Sequence, residues 1–232
     1  MVAEPPKKAP RKKTAASLFR LIETEVDRDE AVAALTKGCA IMRRLHKAVG
    51  PPALRRNPPG LLGLSRIVVF QQVSTASGNA IWARVQAGIQ PFTAPALLAL
   101  DDDQMRALGL SGPKVRTLRA IATALAAGAV DLEGLGQTPD MAVREQLIAL
   151  HGIGPWTADI FLMFNLGRAD AFAAGDLALQ EAARIAMQLE ERPSAQRLEE
   201  IAERWRPWRA IAALMLWDYY RVAKATKGGA PV

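Results

Sequence analysis

From about residue 28 onward, apolar residues recur at the three-and-four spacing of a helix that buries one face, and the ends of these runs carry helix start and stop signals. The pattern predicts helices over 28–49, 61–73, 74–88, 94–99, 102–108, 112–127, 139–150, 155–166, 177–189, 195–205 and 207–224. Pro139 and Pro207 suit first-turn positions, where a missing N–H costs nothing. The run 66–73 is rich in β-branched residues, but Gln71 and Gln72 favour helix and no second run stands ready to pair with it. No segment requires a strand, so the expected class is all-α, with no N-terminal β domain. Pro- and Gly-rich punctuation at 50–60, 134–140 and 166–176 divides the chain. It predicts a domain over 17–232 made of two helical lobes, a central one at about 60–165 and a second from about 17–59 plus 166–225, with a cleft between them where a site would sit.

Half of the 232 residues are apolar, mean hydropathy is +0.04, and no run approaches the roughly 18 to 20 unbroken apolar residues of a membrane span. A soluble globular protein without a membrane partner is expected. The net charge of +7 points to an anionic partner. More than half of it lies in residues 1–16, where Lys7, Lys8, Arg11, Lys12 and Lys13 face only Glu4. That segment has almost no large apolar side chains and is expected to be a disordered basic tail, either a solubilising extension or an arm that adds phosphate affinity. The single cysteine, Cys39, excludes an intramolecular disulfide, a four-thiolate iron–sulfur cluster and a cysteine-based zinc site, and His46 and His151 are too few and too distant to replace them. With no apolar signal segment after Met1, the expected setting is the cytoplasm, associated with the nucleoid if the partner is DNA, and a monomer is the default.

The most informative stretch is LIALHGIGPWTADIFLMFNL, residues 147–166, in which Gly152, Ile153, Gly154 and Pro155 interrupt two helical patterns. The glycines allow positive φ and close backbone approach, Ile153 can anchor the turn, and Pro155 suits the first turn of the following helix. The result is a helix-hairpin-helix whose turn and helix N-terminus offer N–H groups to a DNA phosphate without reading a base. An ordinary αα-hairpin with capping glycines would have the same Gly-Ile-Gly. A weaker version of the pattern occurs at 107–114.

Together with Asp170-Ala171-Phe172-Ala173-Ala174-Gly175-Asp176-Leu177 downstream, LHGIGPWTA resembles the helix-hairpin-helix (HhH-GPD) DNA glycosylase superfamily, in its alkylation-repair branch of 3-methyladenine glycosylases, over about residues 60–220. The resemblance implies an enzyme that excises alkylated purines such as 3-methyladenine and 7-methylguanine from duplex DNA by flipping the base out of the stack. It implies Asp176 as the catalytic carboxylate, beside the plain alternative that this Asp is a helix N-cap. Trp156 and Trp217 match tryptophans that line the family's base pocket, where a cationic alkylated base stacks well on an electron-rich ring; ordinary core aromatics would look the same. Gln72 matches the side chain that plugs the gap left by the flipped base, or is simply a helix-end residue. Backbone carbonyls of Ile148, Leu150 and Ile153 correspond to those that hold a monovalent cation, Na⁺ or K⁺, in related hairpins.

The departures from the family pattern are equally specific. Bifunctional relatives carry a lysine where this chain has Trp156, and no lysine occurs between Lys114 and Lys224, which implies hydrolysis without strand cleavage and no required cofactor. Two pocket tyrosines of relatives are Ile160 and Leu177 here, a hairpin proline is His151, and Ala173 replaces a loop proline, from which a looser loop before Asp176 is expected. The competing class is a non-catalytic helix-hairpin-helix protein that binds DNA structure.

Overall fold

The computed structural model describes residues 19–226, so the basic tail at 1–16 lies outside the described residues. Among the described residues twelve α-helices follow one another: α1 (Glu25–Gly38), α2 (Ala40–Val49), α3 (Gly60–Phe70), α4 (Thr75–Gly88), α5 (Ala94–Ala99), α6 (Asp102–Ala107), α7 (Gly112–Ala126), α8 (Asp140–Ile148), α9 (Pro155–Ile160), α10 (Leu177–Met187), α11 (Ala195–Ala202) and α12 (Arg209–Thr226). Among the described residues the only β pairing is an isolated bridge between Leu21 and Arg168, so the chain is all-α as its periodicity predicts.

Local chemistry accounts for most of the helix starts. Thr24 and Asp27 form a capping box on α1, with Asp27 Oδ2 accepting the Thr24 N–H at 2.7 Å, and Asp101 and Gln104 do the same for α6. Ser74, Asp176 and Ser194 cap α4, α10 and α11 through side-chain oxygens. Several boundaries differ from the periodic reading: the run 61–73 ends at Phe70, and Gln71 and Gln72, expected to favour helix, stand in the turn beyond it. The run 28–49 is two helices, broken at Cys39, whose backbone is extended at φ −136° and ψ 117°; both halves keep the apolar spacing because both pack on α12 and on each other. The run 155–166 leaves α-geometry after Ile160 and continues as a π-helical turn over Phe161–Asn165. Pro139 caps α8 and Pro207 precedes α12 by two residues, so neither is a first-turn residue.

The helices pack in two groups. In one, α3 crosses α4, α7 and α9, while α5 and α6 lie on α7 and α8 pairs with α9. In the other, α12 packs on α1, α2 and α10, with α11 alongside α10. Buried alanines on α10 (Ala182, Ala183, Ala186) and α12 (Ala210, Ala212, Ala213) keep side chains small where these helices meet. Charged groups lock the loops that join the groups. Buried Arg168 sits over the Phe19 ring at 3.6 Å, pairs with Asp140 at 3.1 Å and donates to Thr138 O at 2.8 Å. Arg209 reaches Asp170 at 3.0 Å and Glu199 at 2.9 Å, fixing the start of the loop that leads to Asp176. That loop is not loose: Ala171–Ala174 are buried, and the carbonyl oxygens of Ala173 and Ala174 accept from Asp176 N and Gln180 Nε2 at 2.9 Å each. Ala173 has no ring to restrain the backbone here; burial and these two bonds supply the constraint instead.

Candidate active site

Asp176 stands at the seam of the two groups, as the N-cap of α10. Its Oδ1 accepts from Leu179 N at 2.8 Å and from the indole Nε1 of Trp217 at 3.0 Å, and its Oδ2 accepts from the indole Nε1 of Trp156 at 2.8 Å. Three N–H donors from α9, α10 and α12 thus converge on one half-buried carboxylate. Such donors fix the direction of the carboxylate. The capping and chemical readings of Asp176 coexist, since Oδ1 alone caps α10 and Oδ2 is turned to the Trp156 indole.

The two tryptophans expected as walls of a base pocket each turn their N–H edge to Asp176. Trp217 also stacks on Phe164, with centroids 6.1 Å apart and planes at 30°. Leu177, next to Asp176, is 62% exposed, and Ile160 is half-buried. Trp205 and Trp208 are core residues, the former against Phe172.

The hairpin joins α8 to α9. His151 and Gly152 are exposed at the turn, Ile153 is buried beneath it, and Ile153 N donates to Leu150 O at 3.1 Å. Gly152 has φ +80°, and a Cβ there would run into Thr117 Oγ1 of α7. Gly154 does not use positive φ: it is the N-cap of α9 at φ −100°, with no side-chain cap and open space where a Cβ would stand. The first glycine thus serves conformation and packing, and the second leaves the N-terminus of α9 without a side-chain cap.

Gln72 is exposed between α3 and α4 with φ +55°, a left-handed conformation uncommon outside glycine. Its neighbour Gln71 turns inward, and Gln71 Nε2 donates to Thr157 Oγ1 at 2.9 Å, one residue from Trp156. The sequence does not single out Gln71 or Thr157, nor the ion pair that ties the hairpin helices together, Arg144 of α8 to Asp159 of α9 at 3.2 Å. Burial pushes the Asp159 carboxyl up to about 7, against the opposing pull of Arg144. Both residues line a cleft of about 380 Å³ that also touches Trp156, Gly175 and Glu199. Helical spacing explains only why Asp159 and Trp156 share that cleft, since they lie three residues apart on one short helix. No cluster of three or more His, Cys, Asp or Glu able to hold a metal ion occurs among the described residues, and none of their helices is long and apolar enough to cross a membrane.

A capping aspartate flanked by two indoles, next to a Gly-Ile-Gly-Pro hairpin in an all-helical fold, defines the class: the chain belongs to the HhH-GPD superfamily of base excision DNA repair proteins, whose model matches residues 66–207. Among relatives it is 30% identical over 216 residues to DNA-3-methyladenine glycosylase 1 of Schizosaccharomyces pombe, covering 87% of this chain and 94% of that one. It is 31% identical over 209 residues to the Mycobacterium tuberculosis "Probable bifunctional transcriptional activator/DNA repair enzyme AlkA", covering 85% of this chain but only 41% of that longer protein; a Bacillus subtilis relative is likewise spanned over 46% of its length. The structure superposes on the S. pombe 3-methyladenine DNA glycosylase in complex with abasic DNA with a TM-score of 0.75 at 29% identity, over 85% of this chain and 97% of that one. A Bacillus halodurans DNA-3-methyladenine glycosidase gives 0.73 at 26% identity, over 85% and 91%.

Proposed function

We propose that this chain is a monofunctional DNA glycosylase that flips alkylated purines such as 3-methyladenine and 7-methylguanine out of duplex DNA and hydrolyses their N-glycosidic bond, leaving an abasic site. The observation that carries the reading is the Asp176 carboxylate held by Trp156, Trp217 and Leu179 N–H groups at 2.8–3.0 Å. Breaking the bond from C1′ to the base nitrogen leaves positive charge on the sugar, and a fixed carboxylate lowers the energy of that charge as it forms. Water then adds to C1′ and gives up a proton. N3- or N7-alkylation makes the base cationic, so it departs as a neutral molecule and needs little help as a leaving group. At about 4 Å and an effective dielectric near 20, one carboxylate is worth roughly 4 kcal/mol, on the order of a thousandfold in rate.

The absence of strand cleavage is supported by Trp156 at the place where a Schiff-base lysine would stand and by Lys114, whose buried Nζ donates to Val69 O at 2.7 Å. The chemistry described requires no cofactor. The carbonyls of Ile148, Leu150 and Ile153, which run from the last residue of α8 around the hairpin, would hold a structural Na⁺ or K⁺. Such an ion would add positive charge at the hairpin that favours a nearby phosphate, and would take no part in bond cleavage. Gln72 is the plug, and duplex DNA in the cytoplasm, bound by a monomer, is the proposed partner and setting.

The test is release of free bases from methylated duplex DNA, followed by chromatography, with a borohydride-trapping arm. Wild type should release 3-methyladenine or 7-methylguanine and form no trapped adduct. No release would favour a non-catalytic DNA-structure-binding protein, and a trapped adduct would make the enzyme a glycosylase-lyase.

A further inference from the structure

The plug residue sits at a point where the backbone is set in an unusual state from both sides. Gln72 adopts φ +55° while exposed, so burial of its own side chain does not account for a conformation that is unfavourable for a non-glycine residue. What surrounds it does. On the α3 side, the carbonyl of Val69 accepts from Lys114 Nζ at 2.7 Å, and that lysine is only 9% exposed. Gln71 N donates to Val68 O at 3.2 Å, and the Gln71 amide crosses to Thr157 Oγ1 at 2.9 Å; Thr157 is 2% exposed. On the α4 side, Ser74 Oγ caps the helix through Ser77 N at 3.2 Å. Only Gln72 and Val73 span the interval between these anchors. The anchors are not local to the loop: Lys114 belongs to α7, which also supports the hairpin turn through Thr117, and Thr157 follows Trp156 on α9.

We propose that Gln71, through its hydrogen bond to Thr157, and Lys114, through Val69, are positioning residues that hold Gln72 in its projecting conformation and tie the plug to the helix that carries Trp156. The inference rests on Gln72 being the residue that enters the DNA stack, and gives that entry a mechanical link to the site. A plug whose backbone is already set loses less conformational entropy on insertion than one carried by a free loop.

The experiment uses the full chain and a duplex containing a tetrahydrofuran abasic analogue beside 2-aminopurine, whose fluorescence reports entry of a side chain into the stack. No glycosidic bond is broken in this assay, so it is independent of catalysis. Gln71→Leu, Thr157→Val and Lys114→Met should each weaken insertion by about three- to tenfold, the worth of one net hydrogen bond, with binding to undamaged duplex within about twofold. Thr157→Ser is the decisive control. It keeps the hydroxyl but loses a buried methyl, so it should insert like wild type while melting lower than Thr157→Val, a ranking opposite to the one a purely structural role of Thr157 would give. Insertion by Gln71→Leu and Thr157→Val equal to wild type, failure of Thr157→Ser as complete as that of Thr157→Val, or no insertion signal from wild type would each overturn the proposal. Wild-type insertion without base release would instead overturn the proposed activity and leave the positioning role standing.

Discussion

Replacing Asp176 by asparagine removes a unit of charge and one acceptor from a side chain that serves three N–H donors. Asparagine can orient in two ways. With its amide nitrogen in the place of Oδ1 it would face both Leu179 N and the Trp217 indole, losing two bonds; in the place of Oδ2 it faces only the Trp156 indole. The second orientation is cheaper and keeps the helix cap, for which asparagine serves as well as aspartate. Its cost is one unpaired, partly buried indole N–H set against another donor, about 1–3 kcal/mol, or roughly 2–4 °C in melting temperature per kcal/mol for a chain of this size. The larger effect falls on the reaction. Loss of the roughly 4 kcal/mol of charge stabilisation should lower the single-turnover rate of alkylated-base release on the order of a thousandfold, while affinity for abasic-analogue duplex, which has no base to lose, should change by less than about tenfold. The measurements are base release by chromatography, a melting curve and a binding isotherm on the same preparation. A folded Asp176→Asn protein retaining more than about a tenth of wild-type activity would refute the electrostatic role, and a fall in activity matched by an equal fall in the folded fraction would leave Asp176 a cap only.

Asp159 supplies a pH prediction. Its carboxyl is raised to about 7 in the folded protein, so its contribution to stability is fully present below the ordinary carboxylate range and is lost as pH rises through about 7, by on the order of a few kcal/mol. Wild type should therefore gain melting temperature from pH 8 to pH 5 relative to Asp159→Asn, and parallel curves for the two proteins would count against it. The hairpin glycines should separate. Gly152→Ala, at φ +80° and against Thr117, should destabilise by about 1–3 kcal/mol, whereas Gly154→Ala, with open space around it, should melt like wild type yet bind duplex more weakly because its methyl stands before the bare end of α9. Deleting residues 1–13 removes five basic side chains and should flatten the salt dependence of DNA binding with base preference unchanged; identical slopes would show that the segment makes no phosphate contacts.

Much of this molecule is readable before any coordinates, and the failures have physical causes. The hairpin and the capping role of Asp176 are local matters, set by glycine, proline and short polar side chains within a few residues of one another, and they emerge where the residues predict. The break at Cys39 does not, because a helix pair folded back onto α12 keeps the same apolar period as one continuous helix. The π-helical turn after Ile160 has no compositional mark either. At the site, residue identity is not enough. Gln71 and Gln72 are adjacent and chemically alike, yet one is tied to Thr157 and the other stands in solvent. Trp156 and Trp217 are recognisable as aromatic, but nothing in a one-dimensional pattern says which edge of an indole faces an acid.

The sequence by itself determined the helical class, the Gly-Ile-Gly-Pro hairpin and the carboxylate that follows a glycine at a helix start, because each depends on interactions within a turn or two of chain. Only the tertiary structure decided that α9, α10 and α12 deliver three N–H donors to one carboxylate, that α7 and α9 anchor the loop bearing Gln72, and that Asp159 is buried beside Arg144. Those are decisions about how helices dock, and docking depends on the summed shape of surfaces far apart along the chain, so no local spacing can encode it in readable form.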